Sequence, residues 1–534
     1  MAEFTELADA IVDDLLEQSP EEATDLGDHR FDDRLAARDQ AAVDERMRRW
    51  QSHLRALEQW DAASLEPEAA ADLLILRDEL ELRTFLDQEE RAHLWNPLLY
   101  NPGNGLFPLL SQATQTPERR LRGLCSRLEQ IPELVEVGLK QLQNPPRVHV
   151  ETALQQHPGV VQLIQGSIDQ LARGIADIGL RGRVAKAQSQ ALAAWERFGA
   201  HLQETLESAS GDFRLGPQRF QRKLRLALHS PLESQDVLSR AQRRVEEASA
   251  ELADVSGELT DGRGTAAERI RLALEKVAER RPDDSTVLTE AGAATAELDR
   301  AVRESGLFTV PQDLFDLEVV PEFMRGVASA YCMPAGPFEE GARTKVMIAP
   351  TPQSWSKEQV ESFYREINSA MMVILMAHEA TPGHALQLAV ARRFRGPTKV
   401  RRAFYNGPFV EGWACQAERI VGEFGLGGLP ARTQLLKMQI RTAMNALLDA
   451  AVHVQDMSRE EAVAMMVERG FQERSEAENK WRRACLTSAQ LSTYFVGYSE
   501  LQDLFQALAP MTSYDEVLAH GSPPVSLLRG LIRA

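Results

Sequence analysis

Apolar residues recur three and four positions apart over long stretches of this chain. This spacing constrains the fold more than any other feature, because it places those residues on one face of an α-helix. The same stretches are dominated by Ala, Leu, Glu, Gln and Arg, which favour helices. Phe, Trp and Tyr make up only 6% of the sequence, which argues against an all-β or parallel-sheet fold. The sequence therefore predicts a mainly α protein with a small β element, a short strand over residues 345–349.

A change in composition near residue 305 divides the chain loosely. Residues 307–352 are richer in Phe, Val and Pro than the residues before them, and they include the predicted strand. We expect an N-terminal helical region over residues 1–305 and a C-terminal region over residues 306–534 that carries the functional residues. The two regions are expected to form one compact unit. Within the first, Asn-Pro-Gly-Asn-Gly at residues 101–105 predicts a loop.

Charge and composition exclude several classes of protein. The chain has 60 basic and 79 acidic residues, a net charge of −19, and so lacks the basic character of nucleic-acid-binding proteins. Its longest apolar run, residues 370–377, is far shorter than the roughly 20 residues of a membrane-spanning helix. The N-terminus carries Glu and Asp where a signal peptide carries Lys or Arg, which predicts an ordinary helix and a cytoplasmic location. The four cysteines form no CxxC pair, so neither a disulfide framework nor a thiolate zinc site is expected.

The segment with the clearest chemistry follows the predicted strand. Ser356 and Gln359 have the spacing of a capping box, which predicts that a helix begins there. Apolar residues then recur at helical spacing up to His378, so we expect one helix to carry this imidazole toward the interior. The next residue is Glu379, and the sequence HEATPGH continues to His384.

The two histidines are six positions apart, which a regular helix cannot bring to one ion. That spacing corresponds to about 120° of rotation and 9 Å of rise. Pro382 cannot donate a hydrogen bond to the preceding turn, and Gly383 adopts backbone conformations closed to other residues. We therefore predict a break between His378 and His384 that lets both bind one metal ion. Two core histidines near a helix end are the alternative.

A third metal ligand is expected downstream. Glu411 lies 27 residues after His384, among apolar residues and before Trp413. Two imidazoles and a carboxylate are a common catalytic zinc set that leaves one position open. Glu418 lies two turns later on the same helix face, where it either orients a ligand histidine or is an exposed glutamate. Cys415 is interpreted as a packing residue.

These motifs resemble a bacterial family, domain of unknown function 885, whose members are regarded as zinc metallopeptidases. The family's hallmark is His-Glu-x-x-Pro-Gly-His followed by Glu-Gly-Trp-Ala, and both are present. Weaker matches lie in the family's order. They are the segment at residues 23–30, the pair Asp449 and His453, and the set Gln490, Tyr494 and Gly497. The family is similar to helical zinc peptidases such as carboxypeptidase Taq, thimet oligopeptidase and angiotensin-converting enzyme. The resemblance implies a large helical shell around a deep cleft.

Together these observations predict a zinc-dependent peptidase with one Zn²⁺ per chain in its C-terminal region. Glu379 is expected to act as general base on a metal-activated water. Tyr494 is the first candidate to stabilise the oxyanion and His453 the second, although both residues also fit structural roles. The expected substrate is a short peptide or a small amide, and no nucleic-acid or membrane partner is expected. A hydrolase of non-peptide amides and a non-catalytic metal-binding scaffold are the alternatives. Substrate identity, cleavage mode and oligomeric state are left open.

Overall fold

The computed structural model describes residues 2–111, 114–312, 314–322, 325–326, 328–339 and 341–532. These residues are mostly helical and include one small sheet, so the predicted mainly α fold is confirmed. They form two compact units. The first comprises Met1–Phe213, Gly336–Ala342 and Pro397–Ala403, and the second comprises Arg214–Ala335, Arg343–Gly396 and Phe404–Ala534. This division does not test whether a boundary near residue 305 separates two regions, so that boundary stays a prediction.

Amphipathic helices build the first unit. They are α1 (Ala2–Gln18), α2 (Pro20–Asp25), α3 (Gln40–Leu57), α4 (Pro67–Phe85), α5 (Gly103–Ser111), α6 (Pro117–Gln141), α7 (Arg147–Gln162), α8 (Asp169–Arg173), α9 (Ile178–Thr205) and the later α17 (Val400–Ala403). Tyr100, Trp195 and Phe198 lie in the core that α6, α7 and α9 share. The loop predicted at residues 101–105 is wrong in its second half. The Asn101 side chain accepts a hydrogen bond from the Gly103 amide at 2.8 Å, and a helix begins there.

The second unit contains the remaining helices. They are α10 (Gly216–Leu228), α11 (Ser234–Leu259), α12 (Ala266–Ala278), α13 (Val287–Ser305), α14 (Lys357–Glu366), α15 (Ser369–Glu379), α16 (His384–Arg393), α18 (Gly407–Glu423), α19 (Gly428–Val454), α20 (Arg459–Glu468), α21 (Arg474–Leu486), α22 (Thr493–Leu508), α23 (Asp515–Leu518) and α24 (Val525–Ile532). The long helix α19 packs against α11, α15, α18 and α22 and is buried over most of its length. Among all the described helices, none has both the length and the apolar character needed to cross a membrane.

A three-stranded sheet precedes α14. Its strands are β1 (Phe315–Val319), β2 (Ala330–Met333) and β3 (Thr344–Ile348). The order is β1-β3-β2, with β3 parallel to β1 and antiparallel to β2. The strand predicted at residues 345–349 is therefore confirmed, although it begins and ends one residue earlier than predicted. β3 is paired on both sides and β2 is an edge strand of the described sheet.

The helix predicted to begin after Ser356 is present, but it does not reach His378. Ser356 and Gln359 form both hydrogen bonds of a capping box. α14 then ends at Glu366, and α15 begins anew at Ser369. The Asn368 side chain causes this second start, since it accepts hydrogen bonds from the amides of Ala370 and Met371 at 3.1 and 3.0 Å. A side-chain cap thus divides a stripe whose periodicity predicts one continuous helix.

Candidate metal centre

The predicted break between the two histidines is present. α15 ends at Glu379, directly after His378, and α16 begins at His384. The two imidazole rings lie with their centroids 4.7 Å apart and their planes nearly perpendicular, at 89°. Because one helix ends and another begins between them, the six-residue spacing brings both rings to one point.

Close backbone contact holds this break in place. A Cβ atom added to Gly383 would lie 1.9 Å from the carbonyl oxygen of His378 and 2.3 Å from that of Ala377. The indole nitrogen of Trp413 donates a hydrogen bond to the carbonyl of Pro382 at 2.8 Å. Glycine is therefore needed for close approach of the chain. It is not needed for a left-handed conformation, since its φ is −73°. The tryptophan of the Glu-Gly-Trp-Ala segment anchors the turn.

Three side chains converge at the break. Glu411, in the second turn of α18, has its Oε2 atom 3.5 Å from Nε2 of His378 and 3.5 Å from Nε2 of His384. Ligand atoms about 2.0–2.1 Å from a tetrahedral zinc ion lie roughly 3.3–3.4 Å from one another. Oε2 of Glu411 is buried and has no hydrogen-bond partner among the described residues. This donor set therefore fits a zinc ion and leaves one coordination position open.

The electrostatics of this cluster favour positive charge at its centre. Burial lowers the pKa of His378, but the carboxylates of Glu411 and Glu418 outweigh burial and raise it well above its ordinary value. Burial raises the pKa of Glu411, but the two imidazoles outweigh burial and hold it well below its usual range. A bound cation would meet the same demand for positive charge without protonating the rings.

A buried carboxylate orients the first histidine. Nδ1 of His378 lies 2.7 Å from Oε1 of Glu418, whose side chain is 3% exposed. Because a carboxylate accepts hydrogen bonds, Nδ1 carries a ring proton, and Nε2 is the nitrogen that faces Glu411. Cys415 also lies close to His378 and Glu418. Burial raises the pKa of its thiol well above the ordinary value, which agrees with packing rather than ligation.

A cavity of about 190 Å³ lies beside the cluster. His378, Glu379 and Tyr494 all line it. The Glu379 side chain forms no hydrogen bond or ion pair with another described residue. The Tyr494 hydroxyl oxygen accepts a hydrogen bond from Nη2 of Arg483 at 3.2 Å. The structure thus brings the candidate base and the first oxyanion candidate to the same cavity as a candidate ligand.

His453 lies elsewhere. Its Nε2 atom is 2.8 Å from the carbonyl oxygen of Ala484 and 2.7 Å from that of Thr487, and its ring stacks on Phe220. Asp449 accepts hydrogen bonds from the backbone and side chain of Ser492. His453 is not among the described residues that line the cavity, and its contacts are those of a residue that joins helices. We therefore give it no part in the chemistry proposed below.

The basic residues on one side of the cavity were not predicted from the sequence. Arg441 of α19 and Lys480 and Arg483 of α21 line it, together with Glu366. The segment around Lys480 is rich in charge and has the pattern of a solvated helix face. The three-residue spacing of Lys480 and Arg483 is the one available signal, because it places both side chains on the same side of α21.

Two solved structures are similar to this chain over nearly its whole length. One is a candidate lipoprotein of unknown function from Shewanella oneidensis, with 25% identity and a TM-score of 0.85, over 99% of this chain and 100% of that chain. The other is a candidate lipoprotein from Colwellia psychrerythraea, with 16% identity and a TM-score of 0.81, over 99% and 98% of the two chains. At 16% identity, the similarity to the Colwellia protein establishes the fold and nothing further.

The description as lipoproteins concerns those two proteins, and the cytoplasmic location of this chain stays a prediction. No curated protein is significantly similar to the chain. A family model described as bacterial protein of unknown function, DUF885, matches residues 20–532. The chain therefore belongs to this bacterial family, as its HEATPGH and Glu-Gly-Trp-Ala segments indicate.

Proposed function

We propose that this chain is a zinc-dependent hydrolase that cleaves amide bonds in short peptides. The observation that carries the proposal is the position of the Glu411 carboxylate oxygen, 3.5 Å from a nitrogen of each histidine, beside a cavity that Glu379 lines. His378, His384 and Glu411 would hold one zinc ion per chain. When bound, zinc polarises a substrate carbonyl and makes water nucleophilic at neutral pH.

Glu379 is the proposed general base. It directly follows His378 at the end of α15, lines the cavity and is not neutralised by an ion pair with any described residue. A carboxylate in this position can accept a proton from the attacking water and deliver it to the leaving amine. A site that only stores metal has no need of such a group, so this residue supports an enzyme rather than a scaffold.

Tyr494 is the proposed donor to the developing oxyanion. Its oxygen accepts a hydrogen bond from Arg483, so its own hydroxyl proton is left to donate to a substrate carbonyl oxygen. Burial, together with the Glu411 carboxylate, raises the pKa of Tyr494 above its ordinary value. The hydroxyl therefore stays protonated at neutral pH and can act as a donor.

The neighbouring sheet supports a peptide as the substrate. Ser329 and Ala330 line the cavity, and Ala330 is the first residue of β2, an edge strand of the described sheet. Edge strands bind extended peptides through main-chain hydrogen bonds, which an isolated amide cannot form along its length.

The test compares the unaltered protein, Glu379→Gln and a control, Glu358→Gln, which changes an exposed glutamate of α14 in the same way. Metal content and hydrolysis of a defined library of peptides and non-peptide amides are measured, the latter by mass spectrometry. We expect one zinc per chain in all three proteins. Hydrolysis should fall about 100- to 10,000-fold in Glu379→Gln alone, as is typical of a lost general base.

Two results would contradict the proposal. One is the absence of hydrolysis by the zinc-loaded unaltered protein, and the other is near-normal turnover in Glu379→Gln. Hydrolysis confined to non-peptide amides would keep the metal chemistry and replace the peptide as substrate.

A further inference from the structure

We infer that the basic side of this cavity binds the free C-terminal carboxylate of a peptide, with Arg483 as its main contact. The inference deepens the proposed function and rests on it, because it assigns the end of the substrate that enters the cavity. The protein would then cleave near the C-terminus of short peptides.

Among the described basic residues that line the cavity, Arg483 is the one without an ion pair. Its guanidinium contacts two neutral groups, Oε1 of Gln490 at 3.1 Å and the Tyr494 hydroxyl at 3.2 Å. No carboxylate of a described residue lies within ion-pairing distance of it. A guanidinium beside a cavity forms two parallel hydrogen bonds with a carboxylate, which is the geometry that selects this anion.

The other basic groups of the cavity are only partly neutralised. Arg441 is paired with Glu476 and lies 3.7 Å from Glu366, whereas Lys480 lies 3.9 Å from the same oxygen of Glu476 that Arg441 contacts. Glu366 is shared as well, since Lys437 contacts it at 2.7 Å. Glu366 and Glu476 are therefore shared among three basic residues on this side of the cavity, whereas Glu379 and Glu418 line it beside His378.

The pKa of Lys480 reflects both its burial and its basic neighbours. Burial, followed by the charge of Arg441, lowers the pKa of Lys480 to about 7, although Glu476 opposes the change and Arg483 adds to it. Its side chain is 7% exposed. A carboxylate bound nearby would relieve the repulsion among these cations and favour the protonated amine.

The rest of the cavity fits the end of a peptide. Its volume of about 190 Å³ is below the roughly 300–1,000 Å³ of typical ligand pockets, so it accepts a chain end rather than a long segment. Apolar side chains also line the cavity and suit an apolar terminal side chain. Its members are Ile367, Met371, Ile374, Leu375 and Met438. The hydrogen bond between Arg483 and Tyr494 links the carboxylate site to the proposed oxyanion donor.

The experiment measures binding, which separates this inference from catalysis. The full chain carrying Glu379→Gln is titrated calorimetrically with acetyl-Ala-Ala-Leu as the free acid and as the C-terminal amide. A third probe, acetyl-Ala-Ala-Glu amide, carries its carboxylate on a side chain only. Each titration is made with zinc and after zinc removal, since a direct bond between carboxylate and metal cannot cause a preference in zinc-free protein.

We expect the free acid to bind at least about tenfold more tightly than either amide, with and without zinc, which is the scale of one hydrogen-bonded charge pair. Adding Arg483→Gln should reduce this ratio to about one. The control is Arg482→Gln, which removes the same charge from the adjacent residue, outside the cavity lining, and should keep the ratio.

Equal binding of the free acid and the leucine amide would overturn the inference without any arginine variant. An unchanged ratio in a folded Arg483→Gln protein, or tight binding of the glutamate amide, would overturn it as well. If the unaltered chain hydrolyses no peptide but prefers the free acid, the proposed function fails and the carboxylate site stands. If the unaltered chain hydrolyses peptides but shows no preference for the free acid, the carboxylate site fails and the proposed function stands.

Discussion

A cluster in the first unit and a cluster in the second unit both combine histidine with carboxylates, and they differ in how closely the ring nitrogens are paired. In the first unit, Nδ1 of His29 lies 2.9 Å from Asp32 and Nε2 lies 3.1 Å from Glu339. Both ring nitrogens are engaged at hydrogen-bond distance, and both carboxylates are nearly buried. This cluster is complete as a set of ion pairs.

In the cluster of the second unit, the central contacts are longer than hydrogen bonds. Glu418 engages Nδ1 of His378, but Nε2 faces Glu411 at 3.5 Å, beyond the usual range of a hydrogen bond. His384 stands at the same distance from the same oxygen. Histidine and acidic residues in contact therefore do not by themselves indicate a metal site. A shared gap of ionic size, with ring nitrogens turned toward it, is the more informative feature.

Removal of a histidine should have the largest effect and should separate the two clusters. We expect His378→Ala and His384→Ala each to lose most of the bound zinc, because two ligands rarely retain the ion that three hold. His29→Ala should keep one zinc per chain. Zinc content after gel filtration is the measurement, with thermal melts to show that each variant is folded.

The zinc content of His29→Ala tests whether the cluster in the first unit binds metal. If this variant loses zinc and the other two retain it, the metal site lies in the first unit and not in the second. Full zinc content in both His378→Ala and His384→Ala would show that the ligand assignment is wrong.

A smaller effect is expected when the orienting carboxylate loses its charge. Glu418→Gln can still accept the hydrogen bond from Nδ1 of His378, but it no longer increases the basicity of the ring. Such changes typically cost about 10- to 100-fold in metal affinity. Glu423→Gln, an exposed position on the same helix, is the control. Competition with a chromophoric chelator measures both affinities, and equal values would mean that Glu418 serves only packing.

The sequence predicts the parts of the site that depend on neighbours along the chain. Proline and glycine both disfavour a helix interior, so Pro382 and Gly383 predict the break between the histidines. The pair is not sufficient by itself, since Pro158 and Gly159 lie inside α7. The short strand before α14 is predictable for the same reason, since β-branched and apolar residues lie between turn residues. Mainly α structure follows from periodicity over hundreds of residues.

Features that depend on distant contacts cannot be obtained this way. Asp449 and His453 have the spacing of a helix face in a site or in a core, and only the contact of His453 with carbonyls at the end of α21 distinguishes the two. The close backbone contact that requires glycine at position 383 cannot be predicted from the sequence either. Lys480 and Arg483 look solvated, because nothing local shows that other helices cover them.

The smallest expected effect concerns the complete cluster and appears as a pH dependence of stability. The hydrogen bond to Asp32 raises the pKa of His29, burial opposes this change, and Glu339 adds to it. A histidine whose pKa is higher in the folded than in the unfolded state stabilises the fold fully below its unfolded pKa of about 6.5. That stabilisation is lost as the pH rises through the folded pKa.

We expect His29→Gln to destabilise the protein by about 1–3 kcal/mol at pH 5.5, the usual contribution of hydrogen bonds to a charged group, and by less at pH 9. Melting temperatures of the unaltered and variant proteins over this range measure the difference, and the same comparison in an Asp32→Asn background should show a weaker pH dependence. A difference in melting temperature that stays constant from pH 5.5 to 9 would mean that packing holds His29 in place and that its ion pairs do not.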